Sequence, residues 1–204
     1  MRPVQAVIPG AQGRILAVLV ETTGELNLRT IARLAGVSTA QASRVLPGLV
    51  ELGIVDRREV PPSALFRFEP ENVAARAITA LANARSTVLD ELARIAGDLH
   101  PEPASVILFG SFARGEADRE SDLDLVVVRP ADITEEDDTW RAAVTRLREE
   151  ARRVTGNPVE LVEVGVADIG RLLRSRKPLW LDVGRDGVVV FGTGIDHLRG
   201  RRSA

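Results

Sequence analysis

The second half of the chain alternates short apolar runs with segments of helical pattern, and this alternation constrains the fold more than any other feature. Four runs have the length and the Val, Ile, Leu and Phe content of strands: SVILF, DLDLVVV, PVELVEV and GVVVFGT. The segments between them include helical patterns, such as the amphipathic one over 134–156, for which Thr134 is the expected N-cap. Because strands separated by helices build α/β units, we expect a sheet flanked by helices over residues 101–196.

Residues 1–70 follow a different pattern, in which helical segments precede two short apolar segments. Asn27 and Ser38 stand where two of these helices would begin, and both residue types are favoured N-caps. The two apolar segments lie on either side of Pro61 and Pro62, which suits a two-stranded ribbon. We therefore predict an all-helical domain with a small β-wing.

A connecting helix is expected between the two halves, over 71–100, because apolar residues keep a heptad-like spacing from Ile78 to Leu99. This spacing suits a helix that packs on its neighbours and also a helix that pairs with a second copy in a homodimer. The final segment, 197–204, is rich in arginine and is expected to be a disordered tail.

The composition excludes several classes of protein. The 204 residues include no cysteine, which rules out disulfides, thiolate metal sites and thiol nucleophiles. A net charge of −2 gives the whole molecule no strong attraction for nucleic acid or anionic membranes, and an aromatic content of 3% disfavours base stacking as a binding mode. The start, MRPVQAVIPG, lacks an apolar targeting core, so we expect a cytoplasmic protein with no membrane partner.

The segment 108–128, LFGSFARGEADRESDLDLVVV, places two carboxylates at the start of an apolar run. Residues two apart on a strand point to the same side, so Asp122 and Asp124 project together while Leu123 faces the other way. At an effective dielectric of ~20 the repulsion between the two carboxylates is on the order of several kcal/mol. Full solvation, a shared proton or a divalent cation would relieve it, and Mg²⁺ prefers such oxygen ligands.

Gly110 and Ser111 precede this pair and supply groups suited to an anion. Glycine has no Cβ, so Gly110 lets the backbone approach a ligand closely, while Ser111 offers a hydroxyl and free N–H groups at a helix start. An anion cradle and a cation site on adjoining elements fit a metal-bound polyphosphate. A two-metal site would clamp the attacking and leaving oxygens of a displacement at phosphorus.

The stretch GSFARGEADRESDLDL resembles the signature of the polymerase-beta-like nucleotidyltransferases, and especially of the minimal nucleotidyltransferases of prokaryotes. The resemblance implies a mixed sheet flanked by helices, transfer of a nucleoside monophosphate from a nucleoside triphosphate such as ATP, and Mg²⁺ or Mn²⁺ as cofactor. It also implies that the two aspartates bind the metal. The positions that match the signature are Gly110, Ser111, Ala113, Arg114, Gly115, Ser121, Asp122 and Asp124.

The family further implies a third carboxylate on a later strand, which binds the metal and helps to deprotonate the acceptor hydroxyl. Glu160 stands in that place, as a glutamate where the family usually has aspartate. Glu163 is the alternative, but on an unbroken strand it would face the opposite side. Arg114 contacts a phosphate or ties down its loop, and the sequence leaves both roles open. The residues for which the resemblance implies nucleotide binding are Gly110, Ser111, Arg114 and Ser121.

The stretch NLRTIARLAGVSTAQASRVLPGLVELGIVDRRE resembles the winged helix-turn-helix of bacterial regulators, whose second helix enters the DNA major groove by its start. Such domains bind DNA or serve as dimerisation and protein-docking modules. Residues 1–75 carry eight basic and seven acidic residues, which is a weak basic signal. Pro47 is expected to kink or shorten the second helix. The candidate DNA contacts are Ser38, Thr39, Gln41 and Arg44 on that helix and Arg57 and Arg58 on the wing.

Two functions from different classes follow from these patterns. The first is a nucleotidyltransferase that moves AMP from ATP to an acceptor hydroxyl. Only a short segment follows Glu160, which favours a macromolecular acceptor. Minimal nucleotidyltransferases often act as antitoxins beside HEPN-type toxins, so the resemblance implies a partner protein of that kind. The second function is a DNA-binding transcription regulator whose nucleotidyltransferase-like domain senses nucleotide or a partner without catalysis.

Overall fold

The structure, a computed structural model, describes residues 3–117 and 121–200. The chain forms two compact units with a boundary between Arg85 and Ser86. The elements before this boundary are α1 (Pro3–Val7), α2 (Gly10–Val20), β1 (Leu26–Asn27), α3 (Leu28–Leu34), α4 (Thr39–Glu51), β2 (Val55–Val60), β3 (Ser63–Phe68) and α5 (Val73–Ala82). The boundary falls within α6 (Ala84–Gly97), which is followed by β4 (Ser105–Phe109), α7 (Gly110–Arg114), β5 (Leu123–Arg129), α8 (Asp138–Thr155), β6 (Val159–Gly165), α9 (Val166–Leu173), α10 (Pro178–Asp186), β7 (Val188–Gly192) and α11 (Ile195–Gly200).

Local capping interactions start the two central helices of the first unit. The side-chain oxygen of Asn27 accepts a hydrogen bond from the N–H of Thr30 at 2.9 Å, at the start of α3. At the start of α4, Ser38 Oγ accepts from the N–H of Gln41 at 3.1 Å, and the Gln41 side chain accepts from the N–H of Ser38 at 2.9 Å. This reciprocal pair is a capping box. Both predicted N-caps are confirmed.

The ribbon predicted around Pro61 and Pro62 is present. Strands β2 and β3 pair antiparallel from Val55↔Phe68 to Val60↔Ser63, and β1 pairs with the other edge of β3. The core of this unit joins α2, α3, α4 and β3 through buried apolar side chains that include Ile15, Leu16, Leu19, Ile31, Leu46 and Phe66. The first unit is therefore the predicted helical domain with a small β-wing.

The second helix of this domain differs from its prediction at Pro47. A proline inside a helix removes one backbone hydrogen bond, which is why the sequence indicated a kinked or shortened helix. Helix α4 instead runs from Thr39 through Pro47 to Glu51, and Leu46 and Leu49 are buried on either side of the proline. Burial of this apolar face offsets the missing bond, so the helix is not shortened.

The single connecting helix predicted over 71–100 is two helices, α5 and α6, which are separated at Asn83. The apolar positions of this segment serve two different cores. Ile78 packs in the core of the first unit, whereas Leu92 and Ile95 pack in a core of the second unit. The heptad-like spacing therefore does not mark one continuous apolar seam, and it gives the predicted homodimer no support.

A mixed four-stranded sheet with the order β6-β5-β4-β7 forms the centre of the second unit. Strand β4 pairs antiparallel with both β5 and β7, and β5 pairs parallel with β6. All four strands coincide with the apolar runs of the sequence. The expected α/β architecture, with a mixed sheet flanked by helices, is confirmed.

Strand β5 is buried on both faces, which explains its nearly continuous apolar sequence. Leu125 and Val127 point to one face and pack in a core with residues of α6 and α8. Val126 and Val128 point to the other face and pack with residues of α9, α10 and α11. Each of these four side chains has a relative exposure of 0%. Strand β5, which contains Asp124 and directly follows Asp122, is therefore held by both layers.

Helix α8 begins later than the sequence predicted. Asp137, rather than Thr134, is its N-cap, because the Asp137 carboxylate accepts hydrogen bonds from the N–H groups of Thr139 and Trp140, each at 2.9 Å. Trp140 is fully buried and donates its indole N–H to Glu163. This anchoring of Trp140 fixes the position of the first turn.

The segment predicted as a disordered tail is helical in its first part. Helix α11 includes residues 197–200, and Leu198 is fully buried in the core formed with α9 and α10. A buried leucine holds this turn in place, and residues 201–204 lie outside the described residues. Within residues 3–117 and 121–200, no helix is both long and apolar enough to cross a membrane.

Candidate functional site

Asp124 lies against Gly110, the first residue of α7. The antiparallel register pairs Phe109 with Asp124, so Gly110 follows directly after the partner of the aspartate. Gly110 has a φ of +70°, a left-handed conformation that favours glycine. A Cβ at this position would overlap Oδ2 of Asp124 and lie 3.0 Å from its Cγ. The Gly-Ser turn and the carboxylate therefore form one closely packed arrangement.

Glu160 is the direct neighbour of Asp124 on the adjoining strand. The parallel pairing of β5 with β6 aligns Asp124 with Glu160. Paired residues of neighbouring strands point to the same face of a sheet, so these two side chains project together. Asp122 lies one residue before β5, and its charge is close enough to raise the pKa of Asp124. The structure thus brings the three predicted carboxylates to one end of the sheet.

Glu163, the alternative third carboxylate, is paired with Val127 and lies on the opposite face from Asp124. Its Oε1 accepts a hydrogen bond from Arg129 Nε at 2.9 Å and another from the indole N–H of Trp140 at 2.8 Å. These contacts give Glu163 a structural role in joining α8 to the end of β5.

The three carboxylates share an unfavourable electrostatic environment. The pKa of Asp124 is raised above its ordinary value, first by burial of the carboxyl group and then by the charges of Asp122 and Glu160. Arg114 opposes this effect on the same pKa. Asp122 and Glu160 are exposed, whereas Asp124 is partly buried. A cation at this end of the sheet would relieve the repulsion among the three groups.

The side chains do not surround a preformed cation site in this conformation. Across the described ranges, 3–117 and 121–200, no three His, Cys, Asp or Glu side chains are close enough together to hold a metal ion. The strand register pairs Asp124 with Glu160, and the side chains of Asp122 and Glu160 are exposed.

Arg114 is engaged by carboxylates of its own chain. Its Nε donates to Glu116 at 2.7 Å, and its Nη1 lies 3.5 Å from an oxygen of Asp186 in α10. Arg185, and more weakly Arg114, lowers the pKa of Asp186. The sequence left two roles open for Arg114, contact with a phosphate and tying down the signature loop. These ion pairs agree with the second role. Ser111 follows Gly110 on α7 and is partly buried.

Two residues near the site were missed in the sequence. Asn157 is buried, and its side-chain N–H donates to the carbonyl oxygen of Ser121 at 2.7 Å. Asp186 belongs to α10 but reaches Arg114 of the signature. Both contacts join segments far apart in the chain, so local spacing carries no signal for them. The Asn-Pro pair before a strand is the one local hint, since it marks a turn there.

The six candidate DNA contacts of the first unit are all exposed. Ser38 and Gln41 form the capping box of α4, so their side chains already have partners. Arg57 lies 2.5 Å from Glu59 on the wing, and Arg58 donates to Glu25. The helix contributes Thr39 and Arg44 as further exposed side chains near its start.

Comparison with known proteins finds one family match within each unit. Residues 89–169 match the family model of the nucleotidyltransferase domain, and residues 8–64 match the model of the MarR family. A search of curated proteins finds no match.

Two solved structures show similarity to the chain. A crystal structure of a toxin-antitoxin with AMP-PNP shares 25% identity at a TM-score of 0.35, over 50% of this chain and 72% of that chain. A mutant of the toxin-antitoxin MntA-HpeT shares 22% identity at a TM-score of 0.36, over 55% of this chain and 76% of that chain. These TM-scores are too low to establish a shared fold. The assignment therefore rests on the two family models, which match the MarR family over residues 8–64 and the nucleotidyltransferase domain over residues 89–169.

Proposed function

We propose that the protein is a metal-dependent nucleotidyltransferase that moves AMP from ATP to a hydroxyl group on a partner macromolecule. The observation that supports it most is the placement of Asp124 between Gly110 and Glu160. This arrangement lies within the segment that matches the nucleotidyltransferase family. It provides carboxylate oxygens beside a turn without a side chain, which is what a metal-bound triphosphate needs.

The donor set suits a hard divalent cation. Asp122, Asp124 and Glu160 offer only carboxylate oxygens, which are ligands that Mg²⁺ and Mn²⁺ prefer. Burial raises the pKa of Asp124 most, and the charges of Asp122 and Glu160 raise it further, so a bound cation would favour the charged form of this carboxyl group. We therefore assign these three residues to hold Mg²⁺ or Mn²⁺. Glu160 is exposed on β6 and is the register partner of Asp124.

The proposed reaction is a displacement at the α-phosphorus of ATP. The acceptor hydroxyl oxygen forms a bond to this phosphorus, the bond to the bridging oxygen of the β-phosphate breaks, and pyrophosphate leaves. When bound, the divalent cation neutralises charge on the phosphate oxygens. Glu160 takes the proton of the acceptor hydroxyl as general base. The residues proposed to bind the nucleotide are Gly110, Ser111, Arg114 and Ser121.

The partner proposals rest on the sequence resemblance. A partner protein of the HEPN toxin type would supply the acceptor hydroxyl, and the winged-helix domain would bind DNA through α4 and the wing. A protein with these two domains would modify a partner protein and also bind its own regulatory DNA.

Label transfer from ATP tests the proposed reaction. The full-length protein is incubated with α-labelled ATP, Mg²⁺ and cell extract, and labelled macromolecules are separated by electrophoresis. Transfer is expected with the wild type and should be lost in Asp122→Ala and after addition of a chelator. Asp132→Ala removes an exposed aspartate elsewhere in the same unit and should keep full transfer. Transfer that persists in Asp122→Ala would contradict the proposal.

A regulator without catalysis is the second candidate, and one observation favours it. In the part of the chain that the structure describes, no trio of acidic or histidine side chains is assembled for a metal ion. In such a regulator the second unit would bind nucleotide and the first would bind DNA. Tight nucleotide binding with sequence-specific DNA retention, but without label transfer, is the result that selects it.

A further inference from the structure

Asn157 is one of two buried polar residues within the described ranges, and the other is Ser105. It lies in the turn between α8 and β6, with a relative exposure of 7%. Its side-chain N–H donates to the carbonyl oxygen of Ser121 at 2.7 Å. Burial of an amide costs free energy unless the amide is hydrogen-bonded, and the contact with Ser121 supplies that hydrogen bond.

The hydrogen bond holds the chain next to Asp122. Ser121 contributes the carbonyl of the peptide unit before Asp122, and Leu123 contributes the N–H of the peptide unit after it. The N–H of Leu123 donates to the carbonyl oxygen of Pro158 at 2.8 Å. Both peptide units that flank Asp122 are therefore anchored to the adjacent residues Asn157 and Pro158.

These same two residues lead into the strand that carries Glu160. Val159 begins β6 and pairs with Leu123, so Glu160 follows the Asn157 anchor by three positions in the sequence. Asp122 lies outside the ladder, because β5 begins at Leu123. Asp124 and Glu160 are aligned by the ladder itself. The hydrogen bond from Asn157 anchors the peptide unit before Asp122, and the ladder does not include that peptide unit.

We propose that Asn157 is a positioning residue for the divalent cation, because it holds Asp122 at a fixed distance from Glu160. This inference rests on the proposed function, since it concerns the cation that the three carboxylates would hold. Like charges repel, and Asp122 and Glu160 are both exposed, so an unanchored Asp122 would move away from the other two. The amide counters this movement through the backbone, without touching the ion or the nucleotide.

Binding of Mn²⁺ alone to the full-length protein tests the inference, and free Mn²⁺ is measured by electron paramagnetic resonance. Asn157→Leu removes the hydrogen-bond donor and replaces the amide with an apolar side chain of similar size. We expect its dissociation constant for Mn²⁺ to rise by about tenfold or more, as is typical for a residue that orients a metal ligand. The Mn²⁺ concentration that gives half-maximal label transfer should rise by a similar factor.

Ser105→Ala is the matched control. Ser105 is the other buried polar residue in the described part of the chain, and its hydroxyl contacts the carbonyl oxygens of Phe191 and Thr193 at 3.2 and 2.9 Å. It begins β4, at the end of the sheet opposite to Asp124. Its loss should lower the Tm comparably but change the Mn²⁺ dissociation constant by less than about twofold, because distant sites act independently.

Three results would overturn the inference. If the wild type binds Mn²⁺ and Asn157→Leu binds it equally well, the positioning role is excluded while the proposed function stands. If Ser105→Ala weakens Mn²⁺ binding as much as Asn157→Leu does, the effect is general destabilisation. If the wild type binds no Mn²⁺, both the inference and the metal site of the proposed function fail. Should leucine prevent folding, Asn157→Ala is measured in the same way with the same expected rise.

Discussion

At position 110 the chain needs glycine for two independent reasons. The backbone has a φ of +70°, and a Cβ would overlap the carboxylate of Asp124. Gly36 in the first unit offers a comparison, because its φ is +61° but no atom lies within 4 Å of the position its Cβ would take. Alanine at the two positions therefore distinguishes the effect of backbone strain from the effect of displacing the carboxylate.

Gly110→Ala is expected to reduce label transfer by about 10²-fold, because a displacement of about 1 Å at a reacting group has an effect of that size. Gly36→Ala should destabilise the first unit by about 1 kcal/mol through backbone strain alone and leave the transfer rate nearly unchanged. Initial rates and thermal unfolding of both variants check this. Equal rates for the two variants would show that the contact between Gly110 and Asp124 has no role in the reaction.

The raised pKa of Asp124 predicts how the stability of the metal-free protein depends on pH. The folded state binds the proton of Asp124 more tightly than the unfolded state, whose pKa is near the ordinary value of 3.8. Stability therefore falls as the pH rises from 3.8 through the raised folded pKa, and the loss persists at neutral pH. The carboxylate at this position is a cost to the fold when no cation is present.

Asp124→Asn should therefore have a higher Tm than the wild type at pH 7 without metal, and the difference should vanish below pH 3.8, where both side chains are neutral. Thermal unfolding of both proteins in chelator across this range measures the difference. A wild type that is the more stable protein at pH 7 would show that burial and the neighbouring carboxylates do not disfavour the charged form.

At the scale of elements, α4 and the wing differ in the positive charge that they can offer to DNA. Arg44 is exposed on α4, whereas Arg58 on β2 donates two hydrogen bonds to Glu25. The side chain of Arg57 is paired with Glu59. Because the wing arginines are neutralised within the protein, the helix should supply most of the electrostatic attraction.

Arg44→Ala should weaken binding to DNA selected from a random-sequence pool and reduce the salt slope of log K by about 1, as expected when one phosphate contact is lost. Arg58→Ala should weaken binding less, and Glu25→Gln should strengthen it because Arg58 becomes available. Fluorescence anisotropy at several salt concentrations measures all three variants. A loss in Arg58→Ala that exceeds the loss in Arg44→Ala would assign the main contact to the wing.

Most strands and helices of this protein could be predicted from the sequence because their signals are local, whereas the two-residue strand β1 was not predicted. The caps at Asn27 and Ser38 depend on residues within one turn, and the apolar runs coincide with the strands. The start of α8 could not be read in this way, since burial of Trp140 selects Asp137 over Thr134. The break at Asn83 reflects packing in two cores, to which sequence periodicity is insensitive.

The residues of the candidate site also differ in whether a local sequence signal reveals them. Asp122, Asp124 and Gly110 were found from their spacing, because strand alternation and the Gly-Ser turn are local features. The hydrogen bond from Asn157 to Ser121 joins residues 36 positions apart, and only the parallel pairing of β5 with β6 brings them together. The preference for Glu160 over Glu163 depended on an unbroken strand, and β6 is continuous from Val159 to Gly165.

At the scale of the whole molecule, the two units have separate cores, and only the second unit contains tryptophan. The chain contains two tryptophans, Trp140 and Trp180, and both are buried in the cores of the second unit. Tryptophan fluorescence therefore reports unfolding of the proposed transferase unit without a contribution from the winged-helix unit.

Mg²⁺ with ATP should raise the Tm detected by tryptophan fluorescence. At a ligand concentration of a hundred times Kd the stabilisation is about 2.7 kcal/mol, which corresponds to a rise of roughly 5 °C or more. Asp122→Ala should show little of this rise, because one proposed ligand of the metal is absent. An equal rise in the variant would place the nucleotide and its ion away from the carboxylates.

The central claim is that Asp122, Asp124 and Glu160 converge on one divalent cation beside the Gly-Ser turn. A crystal structure with Mn²⁺ and an ATP analogue that cannot be cleaved at the α-phosphorus tests it most directly through the anomalous signal of manganese. The account predicts a peak at about 2.0–2.3 Å from carboxylate oxygens of all three residues, with the triphosphate against Gly110 and Ser111. A peak elsewhere, or a nucleotide bound while the three carboxylates point apart, would contradict it.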